Sequence, residues 1–162
     1  MIPPFVLHLN KLSEFIEEVE KSSKRDALFF LFMAHKARSI NETIHLKMND
    51  INWKESSIIG IPWDFYFGEK LTAYLKERDT YPGKDSPYLF ITKRGKPVYR
   101  THISKVLNRT SKKLNFGFNV VGRMIQWSYV RYWMKHNLLS KKEIKEKINL
   151  KSLPRLIEFT QY

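Results

Sequence analysis

The side chains in this chain whose chemistry most clearly suggests a function are lysines and arginines, and they are concentrated in its second half. Residues 1–90 contain 12 Lys+Arg and 13 Asp+Glu, whereas residues 91–162 contain 17 Lys+Arg and 3 Asp+Glu. The second half therefore carries a balance of +14, against +13 for the whole chain. A block this basic repels itself on folding unless a polyanion neutralises it. The pattern predicts a nucleic-acid partner, contacted through Lys93, Arg94, Lys96, Arg100, Lys105, Arg109, Lys112, Lys113, Arg123 and Arg131.

Residues 101–114 indicate how a helix would present some of these cations. At about 100° per residue, its inward residues share one arc, namely Ile103, Val106, Leu107, Thr110 and Leu114. The cations of this segment, Lys105, Arg109, Lys112 and Lys113, fall on the opposite arc. Four like charges on one face destabilise a helix, and no Asp or Glu lies between Phe90 and Lys142 to offset them. A merely solvated face is the alternative, but we expect phosphate contact.

Other kinds of site chemistry are poorly represented. The chain has no cysteine, and its five histidines lack ligand spacing such as His-x-x-x-His, so we expect no metal and no cofactor. The longest apolar stretch, residues 27–34, is far shorter than the roughly 20 residues of a membrane span, and the N-terminus does not resemble a signal peptide. We expect an intracellular protein, cytoplasmic or nucleoid-associated, with no membrane partner.

The elements that must position the cations are mostly helices. A length of 162 residues with 43% apolar content suits one domain with a real core. Apolar periodicity predicts helices over residues 12–19, 25–38, 40–48, 67–77, 101–114, 123–136, 141–148 and 154–159. The β-branched run at residues 57–62 and the segment 88–92 predict short strands. The sequence therefore predicts a mainly α domain with a small β-sheet.

Two long strings resemble the catalytic domain of the tyrosine recombinase (phage integrase) family. Residues 25–52 (RDALFFLFMAHKARSINETIHLKMNDIN) are similar to its first motif block, where a buried helix precedes Gly-x-Arg-x-x-Glu, and Glu42, Leu46, Asp50 and Ile51 fit the spacing. Residues 86–113 (SPYLFITKRGKPVYRTHISKVLNRTSKK) resemble its middle section, where a short strand, a Gly turn and a Pro lead into a helix. The resemblance implies an α+β domain with a small antiparallel sheet that binds duplex DNA.

The catalytic positions that the family would supply are largely replaced. Members join two arginines, a histidine, a second histidine or tryptophan, and a hairpin lysine around a scissile phosphate, which a tyrosine attacks. The motif spacing puts Ser39 at the first arginine, Arg123 at the histidine and Gln126 at the second arginine. Downstream it puts Leu150 at the second histidine and Phe159 at the nucleophilic tyrosine.

Residues 57–62 also leave no room for the extended hairpin that carries the family's lysine. The resemblance thus implies a degenerate, catalytically inactive member that still binds DNA. Most contacts would go to phosphates, and the best candidates for reading bases are Asn108, Arg109, Gln126 and Arg131.

Two alternatives stay open. A shifted register would give an active site-specific recombinase, a tyrosine-type DNA strand transferase that uses Arg38, Arg123 and Tyr162. That register places Arg131 on the buried face of its helix. The second alternative is a basic module that binds RNA or an acidic protein, because charge alone does not distinguish these partners from duplex DNA.

The resemblance also bears on domain organisation. Family members usually carry a separate N-terminal DNA-binding domain and a C-terminal segment that docks on a neighbouring protomer. We expect a single catalytic-type domain over residues 1–162 with neither addition, and a monomer rather than a tetramer in isolation. An active recombinase or another DNA-bound protein is a further candidate partner, and a mobile genetic element is the expected carrier of the gene.

Overall fold

The computed structural model describes residues 6–136, which form helices around one apolar core with a small sheet at its side. The helices are α1 (Leu9–Ser22), α2 (Lys24–Lys36), α3 (Ile40–Ile44), α4 (Phe65–Arg78), α5 (Arg100–Lys113), α6 (Gly122–Gln126) and α7 (Ser128–Lys135). The strands are β1 (Ile51–Asn52), β2 (Ser57–Ile58) and β3 (Ile61–Pro62), and a 3₁₀ turn (Met48–Asp50) precedes β1. The predicted helices at residues 141–148 and 154–159 lie outside the described residues.

Helix α2 is the centre of the core, as its all-round apolar sequence predicts. Every residue from Ala27 to Ala34 is buried, and the helix contacts α1, α3, α4, α6 and α7. Its N-terminus is capped by Ser23, whose hydroxyl accepts a hydrogen bond from the Asp26 backbone N–H at 3.0 Å. Its C-terminus ends at Ala37 in the left-handed conformation, with φ 53°. This turn positions the candidate catalytic residues that follow.

The sheet is antiparallel in the order β1-β2-β3, with Ile51 opposite Ile58 and Ile58 opposite Ile61. Ile59 and Gly60 connect β2 to β3, and both have positive φ, 46° and 76°. Two consecutive residues with positive φ are typical of two-residue hairpin turns. The mainly α architecture with a small antiparallel sheet confirms the predicted fold class.

The segment around Tyr88 differs from the sequence-based prediction in a way that also shortens α3. The Leu89 N–H donates to the Leu46 carbonyl at 2.9 Å, and the Met48 N–H donates to the Pro87 carbonyl at 2.8 Å. Because residues 46–48 pair with this distant segment, the chain leaves the helix after Ile44 rather than at Met48. Residues 88–92 form two isolated bridges, Lys47 with Tyr88 and Ile91 with Pro97, instead of a continuous strand.

The helix predicted over residues 123–136 is broken in two at Trp127. The Ser128 hydroxyl donates to the Met124 carbonyl, four residues back, a bond that bends helices. Trp127 is buried at the break and separates α6 from α7. Among the described residues, no helix is long and apolar enough to cross a membrane.

Candidate nucleic-acid interface

Helix α5 divides as its sequence predicts into a buried face and a basic face. Its inward side chains are buried or half-buried, and Lys105, Arg109, Lys112 and Lys113 are exposed. Asn108 lies on the same exposed side. Within the described residues, Lys105 and Lys112 form no ion pair. These two lysines are therefore the part of the helix that is free to meet a phosphate.

One edge of the same face is not free, because it packs against the acidic helix α1. The Lys113 Nζ lies 2.6 Å from the Glu18 Oε1, and Lys21 contacts the other Glu18 oxygen at 2.9 Å. Hydrogen bonds from both lysines lower the pKa of Glu18. The sequence has no acid close to Lys113, so an uncompensated lysine is expected there. In the structure an acid from the distant helix α1 pairs with it.

Arg109 borders a cavity of about 350 Å³ between α5 and the α1–α2 junction. Glu18 and Asp26 line the same cavity. Their negative charges lie on the side of α5 where Arg109 and Lys113 are found. The basic face therefore has a compensated edge, formed by Arg109 and Lys113, and an open part, formed by Lys105 and Lys112. The sequence signal for this pairing was the presence of one acidic helix and one basic helix in a small chain.

A second group of cations lies on the turn that precedes α5. Lys93, Arg94 and Lys96 are exposed around Gly95, which has φ 90°. The Gly95 N–H donates to the Thr92 carbonyl, and the Thr92 N–H donates to the Lys96 carbonyl. Arg100 is exposed in the first turn of α5. These four side chains form no ion pair among the described residues.

Arg123 and Arg131 occupy different environments on α6 and α7. Arg123 is exposed. Arg131 is half-buried and borders a cavity of about 270 Å³ between α7 and the start of the described chain, near His8 and Asn10. Arg131 is therefore less accessible to a large ligand than the exposed cations of α5 and of the turn before it.

Ser39, which the motif spacing predicts at the position of the family's first arginine, has a structural role in this fold. The Ser39 hydroxyl accepts from the Glu42 backbone N–H at 3.1 Å, and the Glu42 carboxylate accepts from the Ser39 N–H at 3.2 Å. This reciprocal pair is a capping box at the start of α3. Glu42 therefore has a capping role at the start of α3.

Arg38, the alternative first arginine, is next to this cap. Its side chain is 13% exposed, and its nearest acid is Glu42 at 4.0 Å. Burial lowers the pKa of Arg38, while Glu42 opposes that shift. Its Nε is buried and has no hydrogen-bond partner within the described residues. The side chain borders a cavity of about 490 Å³ with His45, Asp50 and Ile59.

Gln126, which the motif spacing predicts at the position of the second arginine, is buried and hydrogen-bonded to the backbone. Its Nε2 donates to the Ala37 carbonyl at 3.1 Å. The structure thus brings Gln126 to the same turn as Arg38 and Ser39, residues that are far apart in sequence. Gln126 is buried in this conformation, and its role as a base reader stays a prediction.

The remaining candidate positions are only partly described. The β2–β3 connection consists of Ile59 and Gly60, so it carries no lysine. Leu150, Phe159 and Tyr162 lie outside the described residues. No group of three or more His, Cys, Asp or Glu residues suited to a metal ion occurs within residues 6–136.

Comparison with solved structures places this arrangement in a known fold. The XerA recombinase superposes with a TM-score of 0.84 at 18% identity, over 100% of this chain and 62% of the other. XerH site-specific recombinase bound to its difH substrate, in a pre-cleavage complex, gives 0.73 at 20% identity over 98% and 51%. Its post-cleavage complex with palindromic difH gives 0.74 at 21% identity over 98% and 50%.

The chain has the fold of a tyrosine recombinase catalytic domain. It spans about half to three fifths of the length of these recombinases. No family model matches the sequence, and no curated protein matches it. At this level of identity the recombinase likeness concerns the fold, and the activity has to be argued from the side chains.

Proposed function

We propose that this protein binds duplex DNA through its basic second half and does not cleave it. The observation that carries the proposal is the set of exposed cations without acidic partners in the described residues, Lys93, Arg94, Lys96, Arg100, Lys105, Lys112 and Arg123. They belong to a fold shared with XerH, which was solved bound to difH substrate. Exposed, uncompensated cations bind phosphate by releasing counterions from DNA.

The lack of cleavage is supported by the residues at the family's catalytic positions. Ser39 and Gln126 are neutral, and both are engaged in local hydrogen bonds. The two-residue hairpin turn offers no lysine. Stabilising a pentacovalent phosphate needs several preorganised cations or donors, and Ser39, Gln126 and the hairpin turn supply no cation. The protein would act by occupying a DNA site or by modulating a DNA-bound partner such as an active recombinase.

A charge-reversal experiment tests the binding surface. Lys105→Glu with Lys112→Glu should weaken duplex binding by at least about tenfold, because both side chains lie on the open part of α5. The matched control is Lys54→Glu with Lys76→Glu, which changes the net charge equally on exposed residues of the first half. Equal losses in both variants would contradict the proposed surface. Tighter binding to structured RNA than to duplex DNA would favour the RNA alternative.

One observation keeps the active recombinase as a second candidate. The Arg38 guanidinium borders a cavity, and among residues 6–136 its buried Nε has no hydrogen-bond partner, a role that a phosphate oxygen would fill. A nicked suicide substrate distinguishes the two functions. The inactive protein should form no covalent DNA adduct, whereas an adduct that disappears in Tyr162→Phe would establish the active alternative.

A further inference from the structure

The turn that carries Lys93, Arg94 and Lys96 is supported by a buried arginine that contacts no acid in the described residues. Arg78, at the end of α4, is 5% exposed. Its guanidinium donates to the carbonyls of Lys84, Ser86, Tyr88 and Leu89 at 2.7 to 3.2 Å. Burying a cation costs free energy unless the cation is well hydrogen-bonded. Here a single guanidinium donates to four backbone carbonyls of a segment without regular secondary structure. Arg78 therefore fixes the path of residues 84–89.

Tyr74, one turn earlier on α4, fixes the end of the same segment. Its hydroxyl donates to the Leu89 carbonyl at 2.9 Å and accepts from the Ile91 N–H at 3.2 Å. The ring is fully buried and stacks on Phe90, with ring centroids 5.8 Å apart. The two side chains of α4 thus hold the strand-like segment that leads directly into the basic turn.

The basic turn contacts Gly83, the residue just before the segment that Arg78 holds. The Gly83 N–H donates to the Lys93 carbonyl at 2.9 Å. A Cβ on Gly83 would lie 2.1 Å from the Arg94 carbonyl carbon and from the Gly95 nitrogen. No side chain fits there without moving the turn, and the contact is with backbone rather than with a flexible side chain. Gly83 does not have a positive φ, so close approach is what requires glycine.

We propose that Arg78 and Gly83 are positioning residues for phosphate binding by the turn at residues 92–96. This inference rests on the proposed function, and it adds that the three cations act from a preorganised backbone instead of from a flexible loop. The turn presents Lys93, Arg94 and Lys96 within four residues, shortly before α5 begins at Arg100, and its backbone is held against Gly83. Preorganisation lowers the entropy lost when side chains and backbone are immobilised on a ligand.

A double-mutant cycle on duplex DNA binding tests the coupling. Gly83→Ala should lower affinity about fivefold in the wild-type background and flatten the log–log salt slope by about one, as for one lost phosphate contact. In a background where Lys93, Arg94 and Lys96 are alanine, the same Gly83→Ala change should leave affinity unaltered. Its effect on the melting temperature should be similar in both backgrounds. A purely structural role would not produce this difference in binding.

Controls separate this inference from the proposed function. Gly60→Ala, at a positive-φ turn where an added Cβ meets nothing within 4 Å, controls for a general loss of stability. If Gly83→Ala does not fold, Thr92→Val removes the weaker bond from the Lys96 N–H to the Thr92 hydroxyl and keeps all charges. Equal affinity losses in both backgrounds, or none in either, would overturn the positioning role. Failure of the wild-type protein to bind duplex DNA would instead overturn the proposed function itself.

Discussion

Ser39 has a structural role at the start of α3. The position begins a helix, and serine satisfies the free N–H of Glu42 at that helix start. An arginine at this position would offer a charge to a phosphate, whereas serine offers a cap. The residue-level account therefore assigns Ser39 to stability and not to DNA contact.

This assignment predicts that Ser39→Ala lowers the free energy of unfolding by about 1 kcal/mol, the usual loss for an N-cap. DNA affinity should not change. Ser13→Ala, an exposed serine on α1, is the matched control and should alter stability by less than about 0.5 kcal/mol. Urea unfolding and a DNA titration measure the two quantities. A weaker DNA complex with unchanged stability in Ser39→Ala would show that the assignment is wrong.

Tyr74 makes a prediction about alkaline pH. Burial raises its pKa to about 12 from an ordinary value near 10. The folded state therefore holds the phenol proton more tightly, so its contribution to stability is complete below about pH 10 and is lost as pH rises towards about 12.

Between about pH 9 and about pH 11, the wild type should lose about 1 kcal/mol more unfolding free energy than Tyr74→Phe. Urea unfolding at both pH values measures this difference, and the variant cancels contributions from other titrating groups. Identical pH dependence in the two proteins would mean that the Tyr74 hydroxyl is less buried than the structure shows.

At the scale of elements, α1 and α5 form a partly neutralised pair. Glu18 reduces the effective charge of Lys113 and adds a negative charge near Arg109. If α5 faces DNA, Glu18 weakens binding by repelling phosphates and by occupying a lysine. The acidic helix would then limit how much of the basic face is used.

Glu18→Gln should consequently tighten duplex binding by about two- to threefold and steepen its salt dependence. Glu17→Gln removes the same charge from an exposed position on α1, so it measures the effect of net charge alone. Fluorescence anisotropy with a labelled duplex compares the two. An equal gain in both variants would exclude a specific role for the Glu18–Lys113 pair.

The elements that sequence predicted well are those whose pattern is local. The two faces of α5 and the buried α2 follow from spacing along one helix, and both are confirmed. What sequence missed depends on tertiary partners: the shortening of α3 by pairing with residues 87–89, and the Lys113–Glu18 contact. The break at Trp127 follows from a side-chain bond by Ser128 that periodicity does not encode.

For the candidate site too, the sequence predicted some features and missed those that depend on tertiary packing. The motif spacing placed Ser39 and Gln126 at one site, and the structure brings both to the turn after α2. Two features depend on packing, which spacing does not describe: the burial of Gln126, and the Arg38 Nε that has no hydrogen-bond partner in the described part of the chain. Leu150 and Phe159 remain predictions.

For the molecule as a whole, the uneven distribution of charge is the main physical feature. The described part of the basic half, residues 91–136, contains 11 Lys+Arg and no Asp or Glu. Helix α1 compensates some of this charge, but within residues 6–136 no acid pairs with the cations of the turn at residues 92–96 or with Lys105 and Lys112 of α5. The proposed DNA-binding function rests on these exposed cations and on a fold shared with recombinases.

The salt dependence of duplex binding tests this account most directly. Neutralising about six phosphates predicts a slope near −5 for log K against log salt, a loss of roughly a thousandfold between about 50 mM and about 200 mM. Anisotropy titrations of the wild-type protein with a labelled duplex would measure this slope. A slope near −5 supports a phosphate-directed DNA binder, and an affinity that does not change with salt would contradict the account.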